Sequence, residues 1–428
     1  NITVANGSNA MGNGSYIQTG GGQDTISVTA GSLSGGHVKY GMFNNSTIDA
    51  GNGRNQIAVS SEDWAMSGTE TLKAGGSYVT RDHYSGGSSI TAGAGNDTIS
   101  VTSSGRSGSA MTYSSLINAG QGNNVISVTN TNAKANFGIL HNSGILAGDG
   151  NNTVNVSSWT QAMHDQSYIR LGNGDNNITL TGTAYNASYA LMSDGSLIHA
   201  GNGANTVTLT GPGHGMRNSS ILAGDGGNTV SIAATQGTAM DAVSKIVSGG
   251  GNDSISLTGL TGVVGGSQIT TGNGQDSISI SVTGQWALGE SQLDTGAGAD
   301  VISFSSEQGA AVYASTIQSG IGDDGITVSS HGSHALHQTT LDAGQGDDSL
   351  GLEVVNAAGD VFGFAESRIL IGEGQDSVAV SVSGINAVGM TGDERDSFLM
   401  LGGGNDSLEI SALGSEYGSA LTSSVNIN

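Results

Sequence analysis

Large apolar residues recur two positions apart along this 428-residue chain, in short runs broken by glycine. In "SGGGNDSISLTG", residues 248–259, Ile255 and Leu257 alternate with Ser254, Ser256 and Thr258. A period of two is strand alternation, with one face turned inward. The same pattern returns throughout. A Gly-x-Gly pair occurs 15 times, its first glycine running from Gly20 to Gly402, at spacings of 23 to 42 residues and most often about 24. Ile or Leu stands three residues before each pair, as in Ile17, Ile48, Leu341 and Leu399. Ser stands five before, with Thr339 the single departure. Asp or Asn follows the first glycine by four, and large apolar residues follow it by six and eight.

The unit S-x-[IL]-x-x-G-x-G-x-[DN]-x-[IVL]-x-[VILF] therefore reads as strand, glycine turn, strand. Glycines at the turn accept positive φ and let the chain reverse sharply. A weaker apolar pair precedes each serine, such as Ala239-Met240, Ala287-Leu288 and Ala335-Leu336, and predicts a third short strand. Three strands in about 24 residues make one coil of a stacked solenoid. The expected fold is an all-β parallel β-helix of about 15 coils, right-handed because parallel crossovers are. In register, Ile255 stacks between Val230 and Ile278. A single solenoid domain spans residues 1–428, with residues 60–87 as a protruding loop that carries Trp64, Lys73, Arg81, Asp82, His83 and Tyr84. Antiparallel sandwiches would need several kinds of turn rather than one turn chemistry repeated at one place. The chain begins and ends inside repeats, so the expectation is a segment of a longer array or a unit that associates end to end with copies of itself.

Nine turns carry Asp at the recurrent position: Asp24, Asp97, then the unbroken run Asp253, Asp276, Asp300, Asp324, Asp348, Asp376 and Asp406. Six carry Asn: Asn55, Asn124, Asn152, Asn176, Asn205 and Asn228. The Gly-x-Gly-x-Asp-x-Ile stretches resemble the calcium-binding nonapeptides of the RTX (repeats-in-toxin) family of type I-secreted proteins. That resemblance implies calcium as cofactor, held by turn aspartates between coils, and makes the nine Asp residues the candidate metal ligands. It covers about a third of the chain. The family's coils carry two such turns in about 18 residues, whereas these carry one in about 24. Stacked carboxylates about 5 Å apart repel by roughly 1 kcal/mol in water and more at lower dielectric, which a divalent cation would relieve. The alternative for the same positions is an Asx ladder, in which side chains close their own turns and bond along the edge. The Asn-bearing turns favour it.

Composition narrows the function. Lys plus Arg number 11 against 35 Asp plus Glu, a formal net charge of −24, which argues against nucleic acid and anionic membrane as partners. No apolar run is long enough to span a bilayer. Cysteine is absent and Pro212 is the lone proline. His331, His334 and His337 fall three apart and raise a transition-metal reading, though strand spacing aligns them poorly. Arginines are scattered singly from Arg54 to Arg395, without the basic cluster that a polysaccharide lyase groove needs. The sequence thus points to a non-enzymatic, secreted, structural or adhesive repeat protein of a cell surface, fibre or biofilm, with itself or a surface carbohydrate as partner. A carbohydrate-active β-helix enzyme is the alternative.

Overall fold

The computed structural model describes residues 1–428 except 32–37, 71–83, 105–107, 132–136, 185–188, 392–396, 422–424 and 428. The chain is all-β, with parallel strands stacked as a β-solenoid of about 14 turns. It divides into two compact units, Asn1–Gly213 with Asn218–Gly224, and His214–Arg217 with Asp225–Asn428.

Three apolar columns run through the interior of each unit, one from each strand position of the repeat. In the first unit, the strand after the glycine turn stacks Ile26, Ile57, Ile99, Ile126, Val154 and Ile178 in register. The strand before the turn stacks Ile48, Ile90, Ile117, Ile145 and Ile169. Methionine dominates the third column, where Met11, Met42, Met66, Met111, Met163 and Met192 are all buried and Ile139 takes the place between Met111 and Met163. Its unbranched thioether suits an interior corner whose loops differ from coil to coil.

The second unit repeats the plan with Val230, Ile255, Ile278, Ile302, Ile326, Leu350 and Val378 in the first column. Ile255 lies where the periodicity put it, 1% exposed between Val230 and Ile278. Alternate residues point out, and most are small hydroxyls such as Ser256, Ser279, Ser303 and Thr327.

Two features differ from the expected three short strands and broad loop. Where few residues separate the first and third strands, the two run together as Thr229–Asp241, Ser377–Thr391 and Ser407–Leu421. Register shifts at Ala234/Thr238 and Gly384/Asn386 turn the corner instead. A bulge bends the strand without giving up the ladder on either side, so no loop is required. The insertion is also narrower than residues 60–87. Coil strands continue through Gln56–Ser61 and Trp64–Ser67, and an antiparallel pair, Thr69–Glu70 with Tyr84–Ser85, closes its base. Lys73, Arg81, Asp82 and His83 lie outside the described residues.

Replacing Ile255 with Asp should destabilise the protein by about 3–5 kcal/mol, because an unpaired charge enters an apolar column. Ser256→Ala, on the outward face, should change stability by no more than about 0.5 kcal/mol. Denaturant midpoints for the pair check the register; equal losses would refute it.

Candidate functional site

The glycine turn is where every coil presents the same polar residues, and it is built by close approach. At Gly298, φ is +146°, and a Cβ placed there would lie 1.6 Å from the carbonyl oxygen of Gly274 one coil away. Only glycine lets the two backbones meet. The residue two positions after the second glycine then points inward beneath the turn, and its burial follows. Asn152, Asn176, Asp276 and Asp300 are each 0–1% exposed.

The asparagine turns form a complete ladder. Asn152 Nδ2 donates to its own turn carbonyls, Gly148 O at 3.0 Å and Gly150 O at 2.8 Å. It also reaches Asn176 Oδ1 in the next coil at 3.1 Å, an oxygen that accepts the Asn152 backbone N–H as well. Asn124 and Asn176 repeat the arrangement. Every amide hydrogen faces a carbonyl, so the rung closes its own turn and ties it to the next.

The aspartate turns keep half of this. Oδ1 of Asp276, Asp300, Asp324, Asp348 and Asp376 each accepts the backbone N–H of the preceding rung at 2.8 Å. Asp406 Oδ1 accepts from Asp376 at 3.1 Å. Asp253 Oδ1 accepts from Asn228 backbone N and Nδ2, at 2.7 and 3.0 Å. Oδ2 is different. In Asp253, Asp276, Asp300, Asp324, Asp348 and Asp376 it is buried without a hydrogen-bond partner among the described residues. Burial pushes the carboxyls of Asp253, Asp300, Asp324, Asp348 and Asp376 up, with Asp300 raised to about 6 and Asp348 to about 7. The N–H donated by the preceding rung opposes the shift, and the flanking aspartates add to it.

The structure thus brings seven of the nine predicted ligands, Asp253 to Asp406, into one column of the second unit. Asp24 and Asp97 sit apart in the first unit, on either side of Asn55. Asp24 N donates to Asn55 Oδ1, and Asn55 N donates to Asp97 Oδ1 at 2.7 Å. Calcium takes six to eight oxygens at roughly 2.3–2.6 Å, usually several carboxylates with backbone carbonyls and water completing the shell. Each aspartate turn but that of Asp406 offers one uncommitted carboxylate oxygen, shut away from water. Among the described residues no three His, Cys, Asp or Glu side chains gather where they could share a metal ion. The donor set does not fit calcium.

Two further ladders at the turn escaped the sequence reading. Thr271 Oγ1, Thr295 Oγ1 and Ser319 Oγ, each just before the glycines, donate to the carbonyl one coil on at 3.0–3.1 Å. The signal was present, since four consecutive Asp turns carry Ser or Thr there, whereas the Asn turns carry Ala or Leu. On the outer rim, Asn96, Asn123, Asn151 and Asp175 each accept the N–H of the next coil at 2.8–2.9 Å. The recurrent serine serves its own corner: Ser115, Ser167 and Ser244 donate to the carbonyl three residues back at 2.6–2.7 Å.

Histidines stack rather than converge. His334 lies between His337 and Phe362 at ring distances of 4.6 and 4.7 Å, and burial lowers its pKa to about 3. His331 instead lies 3.7 Å from Glu307. His164 Nδ1 is 2.8 Å from Ser193 Oγ and 2.9 Å from Asp194 Oδ2. Both partners meet the same ring nitrogen and Ser193 is buried, so no proton relay to a nucleophile runs through this ring. Open grooves of ≈ 350 and ≈ 500 Å³ carry one acid, Asp342, and one base, Arg170, respectively, without a paired group. No protein-family model, curated protein or solved structure matches the chain.

Gly298→Ala should lower stability by at least about 2 kcal/mol, from strain at positive φ and collision with the neighbouring turn. Gly351→Ala, whose new Cβ would approach no closer than 3.8 Å to Thr327, is the control. It should stay within about 1 kcal/mol of the parent or gain stability. Comparable denaturant midpoints for the two variants would contradict the stacking constraint.

Proposed function

We propose that this chain is a structural or adhesive scaffold of the cell exterior, a secreted repeat segment of a surface layer, fibre or biofilm matrix. One observation carries the reading: polar side chains are committed along the solenoid axis, rung to rung, rather than converging on a point. A hydrolytic or lyase site needs a pair of carboxylates, or a carboxylate with a base, across one groove. The ladder aspartates instead spend one oxygen each on a neighbouring backbone N–H and lie out of reach of any substrate. The grooves at Asp342 and Arg170 hold single charged groups.

The outward face of the strand after the turn supports the same role. It repeats small hydroxyls at most rungs, interrupted at Ala58, Asn155, Gly351, Ala379 and Glu409, a surface suited to many weak contacts with another polymer rather than one tight site. Carbohydrate is the ligand class that such a face fits, through hydroxyl-to-hydroxyl hydrogen bonds. The RTX-like turn and the acidic composition accord with export, and they extend to turn shape rather than to the calcium donor set.

Incubation with a panel of neutral and acidic polysaccharides tests this. The expected result is retention on one or more of the polymers, weakened when Ser256, Ser279 and Ser303 are replaced together by Lys, with no new reducing ends or unsaturated products. Release of either product would overturn the reading in favour of a carbohydrate-active enzyme.

A further inference from the structure

We propose that the buried ladder aspartates Asp300, Asp324, Asp348 and Asp376 are neutral carboxylic acids, each carrying a proton on Oδ2 where asparagine presents Nδ2–H. Asp and Asn differ at this position only in that one atom. In the first unit the amide nitrogen donates to two turn carbonyls of its own coil and to the next rung, as Asn152 and Asn176 do. The aspartate turns use the same glycine pair and make the same Oδ1 contact at 2.8 Å. Their Oδ2 therefore sits where the pattern supplies a donor. An ionised oxygen there would be a buried acceptor beside the turn carbonyls, and the hydroxyls nearest Asp300 and Asp324, those of Thr295 and Ser319, already donate to carbonyls one coil on. A hydroxyl would donate to a turn carbonyl and restore the rung.

The groups facing these carboxyls offer no positive charge. Asp276 and Asp324 flank Asp300, with Thr295 bonding to it. Asp300 and the outer-rim Asp323 face Asp324, with Ser319 beside it. Asp324, Asp376 and Asp323 surround Asp348. Asp406, Asp347 and Glu373 face Asp376. Each neighbour that carries charge is an acid. Desolvation raises all four carboxyls above their ordinary range, to about 6 in Asp300 and about 7 in Asp348.

A proton serves each rung separately, whereas a calcium ion would need several rungs to contribute at once, each with one of its two carboxylate oxygens already bonded. The consequence for stability has a definite sign. A carboxyl whose folded pKa lies above its unfolded value of about 4 contributes fully at pH below that value. Its contribution is lost as pH rises through the folded pKa, here about 6 to about 7 for Asp300 and Asp348. The ladder thus strengthens in mild acid, opposite to a salt-bridged carboxylate.

Infrared spectroscopy of the folded protein, with urea midpoints across pH, tests this. At about pH 5 the wild type should show a protonated-carboxyl stretch, smaller by three groups in the triple variant Asp300→Asn/Asp324→Asn/Asp348→Asn. Urea midpoints of the wild type should fall between about pH 5 and about pH 8, whereas those of the triple variant should fall much less. A chelator should shift neither protein. The single variant Asp324→Asn, read by the same band, keeps the test decisive if the triple variant does not fold. Absence of the band in the folded wild type at that pH would overturn the proposal. So would a chelator-induced loss of stability in the wild type that the variants lack, which would assign the oxygens to a bound divalent cation.

Discussion

Two glycine backbones stacked with no Cβ between them set the geometry of every coil in this protein. The strands before and after the turn could pair with their neighbours whatever side chains they carried. The turn could not, because a carbonyl oxygen of one coil occupies the space that the next coil's Cβ would need, as at Gly298 and Gly274. Once the turns approach this closely, the residue two positions on is forced beneath them and out of water. A buried polar group without a partner costs about 1–3 kcal/mol. A repeat protein incurs that cost at each rung or avoids it at each rung. The Asx residue avoids it by bonding upward through Oδ1 and sideways through its second atom.

Asparagine and aspartate are the same shape at this site and differ in hydrogen count. That difference decides how the two units use one backbone. The asparagine rungs are complete as they stand. The aspartate rungs are complete only with a hydrogen or a cation at Oδ2, and the turn encloses that oxygen too tightly to recruit water. The formal charge of −24 counts each of these carboxyls as ionised. With Asp300, Asp324, Asp348 and Asp376 neutral, the acids beside them that keep their charge are exposed side chains such as Asp323, Asp347 and Glu373 on the rim, where solvent and salt screen it. Those four rungs then carry no charged column, and like-charge repulsion among them ceases to be a reason for binding metal.

The repeat was legible because its signals reinforce one another. Period-two alternation at Ile255 and Leu257, glycine at a fixed phase and Ser five residues earlier all require the same coil, and the register follows from matching them. The inward direction of the aspartates was less so. A Gly-x-Gly-x-Asp string reads alike whether the carboxyl faces a rim cation or the underside of a turn, since the facing is set by how closely the next coil stacks. The merging of two strands in Thr229–Asp241 was hidden for a related reason. Loop length is visible in sequence, but a bulge that replaces a loop is a choice between two ways of satisfying the same hydrogen bonds. The Thr271–Thr295–Ser319 ladder left a readable trace in the residue before the glycines, where Ser or Thr replaces the Ala or Leu of the asparagine turns.

Axial commitment of polar groups also governs what such a molecule can do. A catalytic site concentrates unlike groups at one point, and it tolerates unsatisfied or strained groups there because the rest of the fold offsets them. A solenoid built from one repeated turn distributes like groups along a line, so a feature that helps one rung is copied to its neighbours. Aromatic residues obey the same rule here. Trp286 stacks on Tyr313 at 5.1 Å, and Tyr113 on His141 at 4.7 Å, each ring covering the face of the next. Faces spent on stacking are not open to a sugar ring, whereas the hydroxyls of the strand face point outward. Their spacing is that of the strands themselves, about 4.8 Å from rung to rung, so a long partner meets a hydroxyl at most steps. Affinity for such a partner grows with the number of rungs engaged rather than with the quality of one pocket, which is the logic of an adhesive scaffold.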